Sequence, residues 1–249
     1  MRCWGTEVIL ALDSSTRTLS LALARWQGQA LEVLAARELD DGGQHGHSLP
    51  IAIDALLREG GASLDALTGC AVGLGPGSFT GLRVGLATLK GICYARHLPL
   101  AGASSLRALA AAAPGVDGEL VCALLDARRG ELYAGLFRGP RAEPLGPERA
   151  LPPAALPGWL SEMGASRVRA FGEGLLAQRA ALEALASPAL AFDLEGPKSP
   201  TALNVAKLAG PSGDTRPEAL FAIEPRYVRP SEAELKYPEG TFKPHPTAG

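Results

Sequence analysis

Two aspartates in this chain stand where a carboxylate could do chemistry. Asp13 closes the apolar run 8–12 and is followed by Ser14, Ser15 and Thr16, while Asp126 closes the run 121–125 and is followed by Ala127, Arg128 and Arg129. A carboxylate at the end of a buried strand can orient a metal-bound water or accept a hydroxyl proton, and adjacent hydroxyls can contact phosphate. The first turn suits that chemistry. The second carries arginines where a phosphotransfer site would have glycine and a hydroxyl, and Arg128 and Arg129 can instead pair with Asp126 or Glu131. One reading is a small-molecule kinase or ATPase acting through Asp13 and Asp126. The altered second turn favours the other, inherited sites with weak or absent nucleotide binding.

A glycine-rich block, Gly73-Leu-Gly-Pro-Gly-Ser-Phe-Thr-Gly-Leu-Arg-Val-Gly85, sits between an apolar run and an amphipathic one. It is not a phosphate-binding P-loop, because Gly81 is followed by Leu82 and Arg83 where Lys and Ser or Thr are needed. It is not a dinucleotide fingerprint either, because Ser78 and Thr80 occupy the positions of the required third glycine. Gly77, Gly81 and Gly85 recur every four residues and therefore line one side of a helix. Leu82, Leu86, Leu89 and Cys93 form a separate apolar stripe. Each interior glycine costs about 1 kcal/mol of helix propensity relative to alanine, which is tolerated where a backbone must come close to something. Periodicity alone leaves two uses for this side: tight packing inside the chain, or close approach by another subunit.

Other constellations are absent from the sequence. His45, His47, His97 and His245 include no pair four apart, and His45 and His47 flank Gly46 in a turn and helix start, so no metal site is expected. Cys3, Cys70, Cys93 and Cys122 form no CxxC and read as reduced core thiols. Gly-x-Ser-x-Gly does not occur, which leaves no nucleophile elbow.

The elements around these residues follow from hydropathy. Strands are expected at 8–12, 19–23, 31–38, 70–74 and 98–101, with helices entered at Ser48, at Ser78 and at Ser104. The chain then starts again: residues 8–13 align without gaps on 121–126, and at the same offset of 113 Leu19 meets Leu132 and Leu23 meets Leu136. Further on, 139–158 reads as a loop, 167–171 as a strand, and 175–186 and 201–209 as helices. A duplicated unit of strands and helices, with an Asp at the first hairpin of each half, is the plan of the actin, sugar-kinase and Hsp70 superfamily, a ribonuclease-H-like α/β fold of mixed sheets flanked by helices. Gly172 and Gly174 then fall where that fold places its adenosine loop. The expected division is an N-terminal half over 1–106, a C-terminal half over 107–229 and an extended or disordered tail over 230–249. Net charge is −2, from 24 Lys+Arg against 26 Asp+Glu, so a basic stripe for gripping RNA unaided is missing. No apolar run is long enough to span a membrane, and a cytoplasmic location is expected.

Four blocks together resemble the TsaB (YeaZ) family: Ile9-Leu-Ala-Leu-Asp-Ser-Ser-Thr16, Gly75-Pro-Gly-Ser-Phe-Thr-Gly-Leu-Arg-Val-Gly85, Leu125-Asp-Ala-Arg-Arg-Gly-Glu-Leu-Tyr133 and Glu224-Pro-Arg-Tyr-Val-Arg229. They occur in the family's order and spacing. The resemblance implies a dimerisation subunit, not itself the catalyst, of the bacterial machinery that makes threonylcarbamoyladenosine in tRNA. It implies a catalytic paralogue, TsaD, which shares the fold and carries metal and nucleotide, and an ATPase, TsaE, which joins the pair. No cofactor is expected in this subunit, a homodimer is possible when the chain is alone, and tRNA is met only through the complex. In such heterodimers the glycine-marked helix and the helix before it pack on their counterparts, which points to His47, Ile51, Gly77, Gly81, Val84, Gly85 and Thr88 as the partner interface. On that expectation Gly85→Leu would leave the chain folded and block association.

Overall fold

The computed structural model of the chain describes residues 7–40, 45–113, 116–185, 187, 189–210 and 214–229. Three antiparallel strands open it: β1 (Glu7–Asp13), β2 (Thr18–Gln27) and β3 (Ala30–Asp40). Helix α1 (His45–Glu59) leads to β4 (Gly69–Gly73), α2 (Phe79–Arg96) to β5 (Leu100–Ala103), and α3 (Ser105–Ala112) follows. The first sheet has the order β3-β2-β1-β4-β5, with β4 and β5 parallel to β1. Leu10, Leu12, Leu21 and Leu23 alternate onto the sheet face that α1 and α2 cover, where they meet Leu49, Leu56, Leu86 and Leu89.

The second sheet repeats the plan. Strands β6 (Leu120–Arg128) and β7 (Glu131–Arg138) form an antiparallel hairpin, and β10 (Val168–Phe171) and β11 (Leu190–Phe192) add in parallel beyond β6. The orders β2-β1-β4-β5 and β7-β6-β10-β11 match strand for strand, so the 113-residue offset marks a real duplication. The counterpart of β3 is reduced to the short pieces β8 (Glu143–Pro144) and β9 (Arg149–Leu151), both on β7. The fold is thus α/β, two mixed sheets flanked by helices on the actin-like plan.

Several local expectations change. The stretch 139–158 is not one loop, since it holds β8, β9 and the start of α4 (Leu156–Glu162). The expected helix over 175–186 is two short ones, α5 (Glu173–Ala177) and α6 (Arg179–Glu183), broken at Gln178. Ser48 does not cap α1, which begins three residues earlier and carries Pro50 inside its first turns. Ser78 and Ser104 do cap, accepting from the backbone N–H of Gly81 and Arg107.

The division of the chain also differs from the expected one. Helix α7 (Ala202–Ala209) packs on β1, β2, β4 and β5 of the first sheet, where Val205 and Ala206 join Ile9, Ala11 and Ala71 in a buried cluster. Ser20 accepts from the Ala202 N–H at 2.9 Å. Helix α8 (Pro217–Ala222) packs on α2 and sends Leu220 into the first core. Residues 201–229, expected in the second half, therefore return to the first. The physical reason is that the first sheet needs cover on its second face, and α3 alone is shared with β6 and β7. The expected tail over 230–249 lies outside the described residues.

Candidate functional site

The turn after β1 is closed around its own carboxylate. Asp13 is wholly buried. Its Oδ1 accepts from the backbone N–H of Ser15 at 2.9 Å and from Ser15 Oγ at 2.5 Å, and its Oδ2 accepts from Ser105 Oγ at 2.6 Å. Ser105 Oγ in turn accepts from the Gly75 N–H at 3.1 Å. Asp13 is thereby the hub that ties β1 to the loop before α2 and to the start of α3 through charge-assisted bonds. Ser14 and Thr16 are buried too; Ser14 Oγ donates to Gly81 O at 2.9 Å and Thr16 Oγ1 to Thr18 O at 3.1 Å. A phosphate or metal at this turn would have to displace these bonds. Among the described residues no group of three His, Cys, Asp or Glu side chains could hold a metal ion.

The second turn is held differently. Asp126 Oδ1 accepts from the Arg128 N–H at 2.9 Å, and Arg128 Nη1 stands 3.5 Å from Oδ2. Arg128, Arg129 and Gly130 all have positive φ (64°, 54° and 78°), which makes a tight, left-handed hairpin tip. Behind it lies Glu173, whose carboxylate accepts a backbone bond from Asp126; burial and the Asp126 charge push its pKa up to about 7, while Arg128 and Arg17 pull the other way. Arg17 belongs to the first turn, so Glu173 senses both tips. Gly172 and Gly174 are used by packing: an added Cβ would meet Leu124 O at 2.1 Å and Leu125 C at 2.7 Å. These glycines let α5 lie directly on β6 and offer no open loop.

The glycine edge of α2 is also spent inside the chain. An added Cβ on Gly77 would fall 2.2 Å from Ser15 O, and on Gly85 2.3 Å from Ser14 Oγ, while Gly81 is buried with its carbonyl on Ser14. The Ser78 N–H completes the seam on Ser15 O at 2.7 Å. This corrects the assignment of Gly77, Gly81 and Gly85 to a partner interface, because the close approach they permit is made by the β1–β2 turn. Val84 and Thr88 are half-buried beside that edge, and Thr88 Oγ1 donates to Val84 O at 2.8 Å. Ile51 on α1 points out and is 74% exposed. His47 lies in the first turn of α1, and its side chain is outside the described residues.

What α2 presents outward is a different stripe, Arg83, Ala87 and Tyr94, bordered by the C-terminal block 224–229. That block crosses both halves. The Arg226 N–H donates to Leu74 O at 2.7 Å, the Tyr227 and Phe79 rings are 5.2 Å apart, and Arg229 Nη1 meets Glu131 Oε2 at 2.7 Å. Glu148 adds a second link between the halves: it accepts from Ser104 Oγ, and burial raises its pKa against the pull of Ser104 and Arg226. Ser105, Glu173, Arg83 and Tyr227 were not singled out from the sequence. The paired serines at 104 and 105 were the available signal, one to cap α3 and one left for another bond. The thiols of Cys70, Cys93 and Cys122 are free and buried, the last pushed up to about 12 by burial, whereas Cys3 lies outside the described residues.

The sequence model of the family described as "TsaD: tRNA N6-adenosine threonylcarbamoyltransferase" matches residues 41–146, from the entry into α1 to the β7–β8 hairpin. The chain is 34% identical over 130 residues to the Bacillus subtilis "tRNA threonylcarbamoyladenosine biosynthesis protein TsaB", covering 52% of this chain and 55% of that protein. It is 34% identical over 111 residues to a Geobacter metallireducens tRNA N6-adenosine threonylcarbamoyltransferase, covering 40% of this chain and 33% of that one. A solved Pseudomonas aeruginosa structure, described as similar to peptidase YeaZ, superposes with a TM-score of 0.69 at 27% identity over 90% of this chain and all of that one. The chain is therefore similar to TsaB (YeaZ) proteins in sequence and in fold. It spans about half the length of the TsaB relatives it matches in sequence, between 51% and 55% of each. The stretch matching the TsaD family contains α1, α2 and the β6–β7 hairpin and leaves out β1, β2 and the first turn. No described helix is long and apolar enough to cross a membrane.

Proposed function

We propose that this chain is a cytoplasmic, non-catalytic scaffold subunit for making threonylcarbamoyladenosine in tRNA, docking the transferase paralogue TsaD and, with it, the ATPase TsaE. One observation carries the non-catalytic half: Asp13, the carboxylate that an actin-like phosphotransfer site would use, is wholly buried with both oxygens bonded to Ser15 and Ser105. The names of the TsaB relatives support the pathway, and the outward stripe of α1 and α2 offers a surface for docking. In this reading ATP and metal reside on the partners, tRNA is reached only through the assembled complex, and the chain alone pairs with a second copy.

The test is threonylcarbamoyl transfer to tRNA by purified components, with this chain added or omitted. The expected result is transfer only when both this chain and the transferase are present, and no ATP turnover by the chain alone. Equal transfer without the chain overturns the proposal. So does ATP turnover by the isolated chain that Asp13→Asn abolishes.

A further inference from the structure

Arg83 on α2 is held in one orientation by its Nε–H, while its other four N–H donors have no partner among the described residues. Its guanidinium carbon lies 3.9 Å over the Phe79 ring centre and 5.8 Å from that of Tyr227, and its Nε donates to Tyr227 Oη at 2.9 Å. The two rings, 5.2 Å apart and inclined by 33°, fix each other. The Nη edge of the guanidinium has no partner among the described residues, and no carboxylate there stands within ion-pair distance, although the side chain is exposed. An arginine stacked on an aromatic ring and pinned through Nε presents a planar fork already set for a carboxylate.

Beside this fork runs a groove of about 420 Å³ between α2 and the C-terminal block, with Leu86, Ala87 and Pro225 as its apolar lining. Lys90, two turns along the same side of α2, borders the other end and donates to Phe221 O at 3.1 Å. The rim therefore carries two cations against one anion, Glu224.

We propose that Arg83 is the anchor of a protein-docking surface: it receives a carboxylate side chain of the partner subunit while a bulky apolar neighbour of that carboxylate fills the groove walled by Pro225 and Tyr227. This rests on the reading that the chain docks the transferase paralogue, and it assigns the C-terminal block the task of aiming Arg83. A protein carboxylate with an apolar neighbour fits better than an RNA phosphate because the groove is apolar and the chain, with a net charge of −2, offers no basic stripe for a nucleic-acid backbone.

The experiment measures Kd between the full chain and the purified transferase paralogue for wild type, Arg83→Glu, Arg83→Met, Arg83→Lys, Tyr227→Phe and the surface control Arg141→Glu. A desolvated arginine anchor predicts that Arg83→Glu and Arg83→Met raise Kd by about 30-fold or more. Lysine restores little because an ammonium lacks the fork, and Tyr227→Phe weakens binding by about fivefold through loss of the aiming bond. Arg141→Glu binds like wild type, and thermal unfolding of the isolated variants confirms that each is folded. Should the arginine variants misfold, Tyr227→Phe and the weakening of wild-type binding by salt decide the matter. Arginine variants that bind as wild type overturn the anchor and leave the docking reading standing. Wild type that does not bind the transferase overturns both. Unchanged transferase affinity together with weaker tRNA retention by the assembled complex identifies the anion as phosphate and overturns the proposal.

Discussion

Gly85 lies against Ser14: a Cβ added to the glycine would stand 2.3 Å from Ser14 Oγ and 2.8 Å from Leu12 Cδ1. Ser14 cannot step aside freely, since its hydroxyl donates to Gly81 O one turn back on the same helix. A larger residue at 85 must therefore push α2 off the β1–β2 turn. Gly85→Leu should destabilise the isolated chain by about 1–3 kcal/mol or more, the usual cost of overpacking, and lower Tm by several degrees. Urea or thermal unfolding of the chain without any partner measures it. A variant as stable as wild type that fails only to associate would return the glycine edge to the interface.

The same residues show what the sequence could and could not tell. A period of four in glycine establishes that something comes close to one side of α2, and it does. Whether that object is another subunit or the chain's own turn depends on where β1 delivers Ser14 and Ser15, a tertiary fact with no local signal. The hairpin duplication was legible because buried strands ending in Asp leave the same pattern twice. The return of α7 to the first sheet was not, because an amphipathic helix of eight residues encodes that it is covered but not by which sheet. The bonds that hold Asp13 were hidden for a related reason: Ser105 is 92 positions away.

Asp13 should behave as a structural residue. Replacing it by alanine leaves the Ser15 N–H and the Ser15 and Ser105 hydroxyls buried without their acceptor, and each such group costs about 1–3 kcal/mol. Asp13→Ala is expected to lose about 3 kcal/mol or more, read from the urea midpoint at constant slope. Asp13→Asn keeps one acceptor and should lose less. Where Asp13→Asn remains folded, transfer in the reconstituted system should equal that of wild type, and loss of transfer at full stability would place chemistry at this turn.

The C-terminal block should fasten the β6–β7 hairpin to the first half. Arg229 and Glu131 meet at 2.7 Å with side chains 21% and 35% exposed, so solvent screens the pair substantially and its contribution is about 0.5–1 kcal/mol. Arg229→Ala should shift Tm by no more than a few degrees, with the difference shrinking at high salt. Amide exchange should rise at the tip of the hairpin around Glu131 and stay unchanged in α2, whose contact with the block runs through Phe79, Arg83 and Tyr227. Faster exchange along α2 would show that the block is one cooperative unit and not two separate fastenings.

Glu173 should make the chain less stable as pH rises through the weakly acidic range. Its folded pKa is pushed up from 4.5 to about 7, first by burial and then by the Asp126 charge, with Arg128 and Arg17 opposing. Between those two values the folded state holds a proton that the unfolded state has released. Stability from this group therefore falls as pH climbs from 4.5 to about 7 and is flat on either side. The shift corresponds to about 3 kcal/mol as an upper bound, reduced because water and two arginines reach the carboxylate. Glu173→Gln removes the titration while keeping the shape and an acceptor for the Asp126 N–H. The variant should match wild type near pH 4, exceed it in stability at pH 8, and show no slope from this position in between. Urea unfolding at four or five pH values measures both curves. Parallel curves across the range would mean that Glu173 titrates at an ordinary carboxylate pKa. A variant less stable at pH 8 would mean that the ionised carboxylate is favoured there, with Arg17 and Arg128 outweighing burial and the two turns held together by their attraction to it.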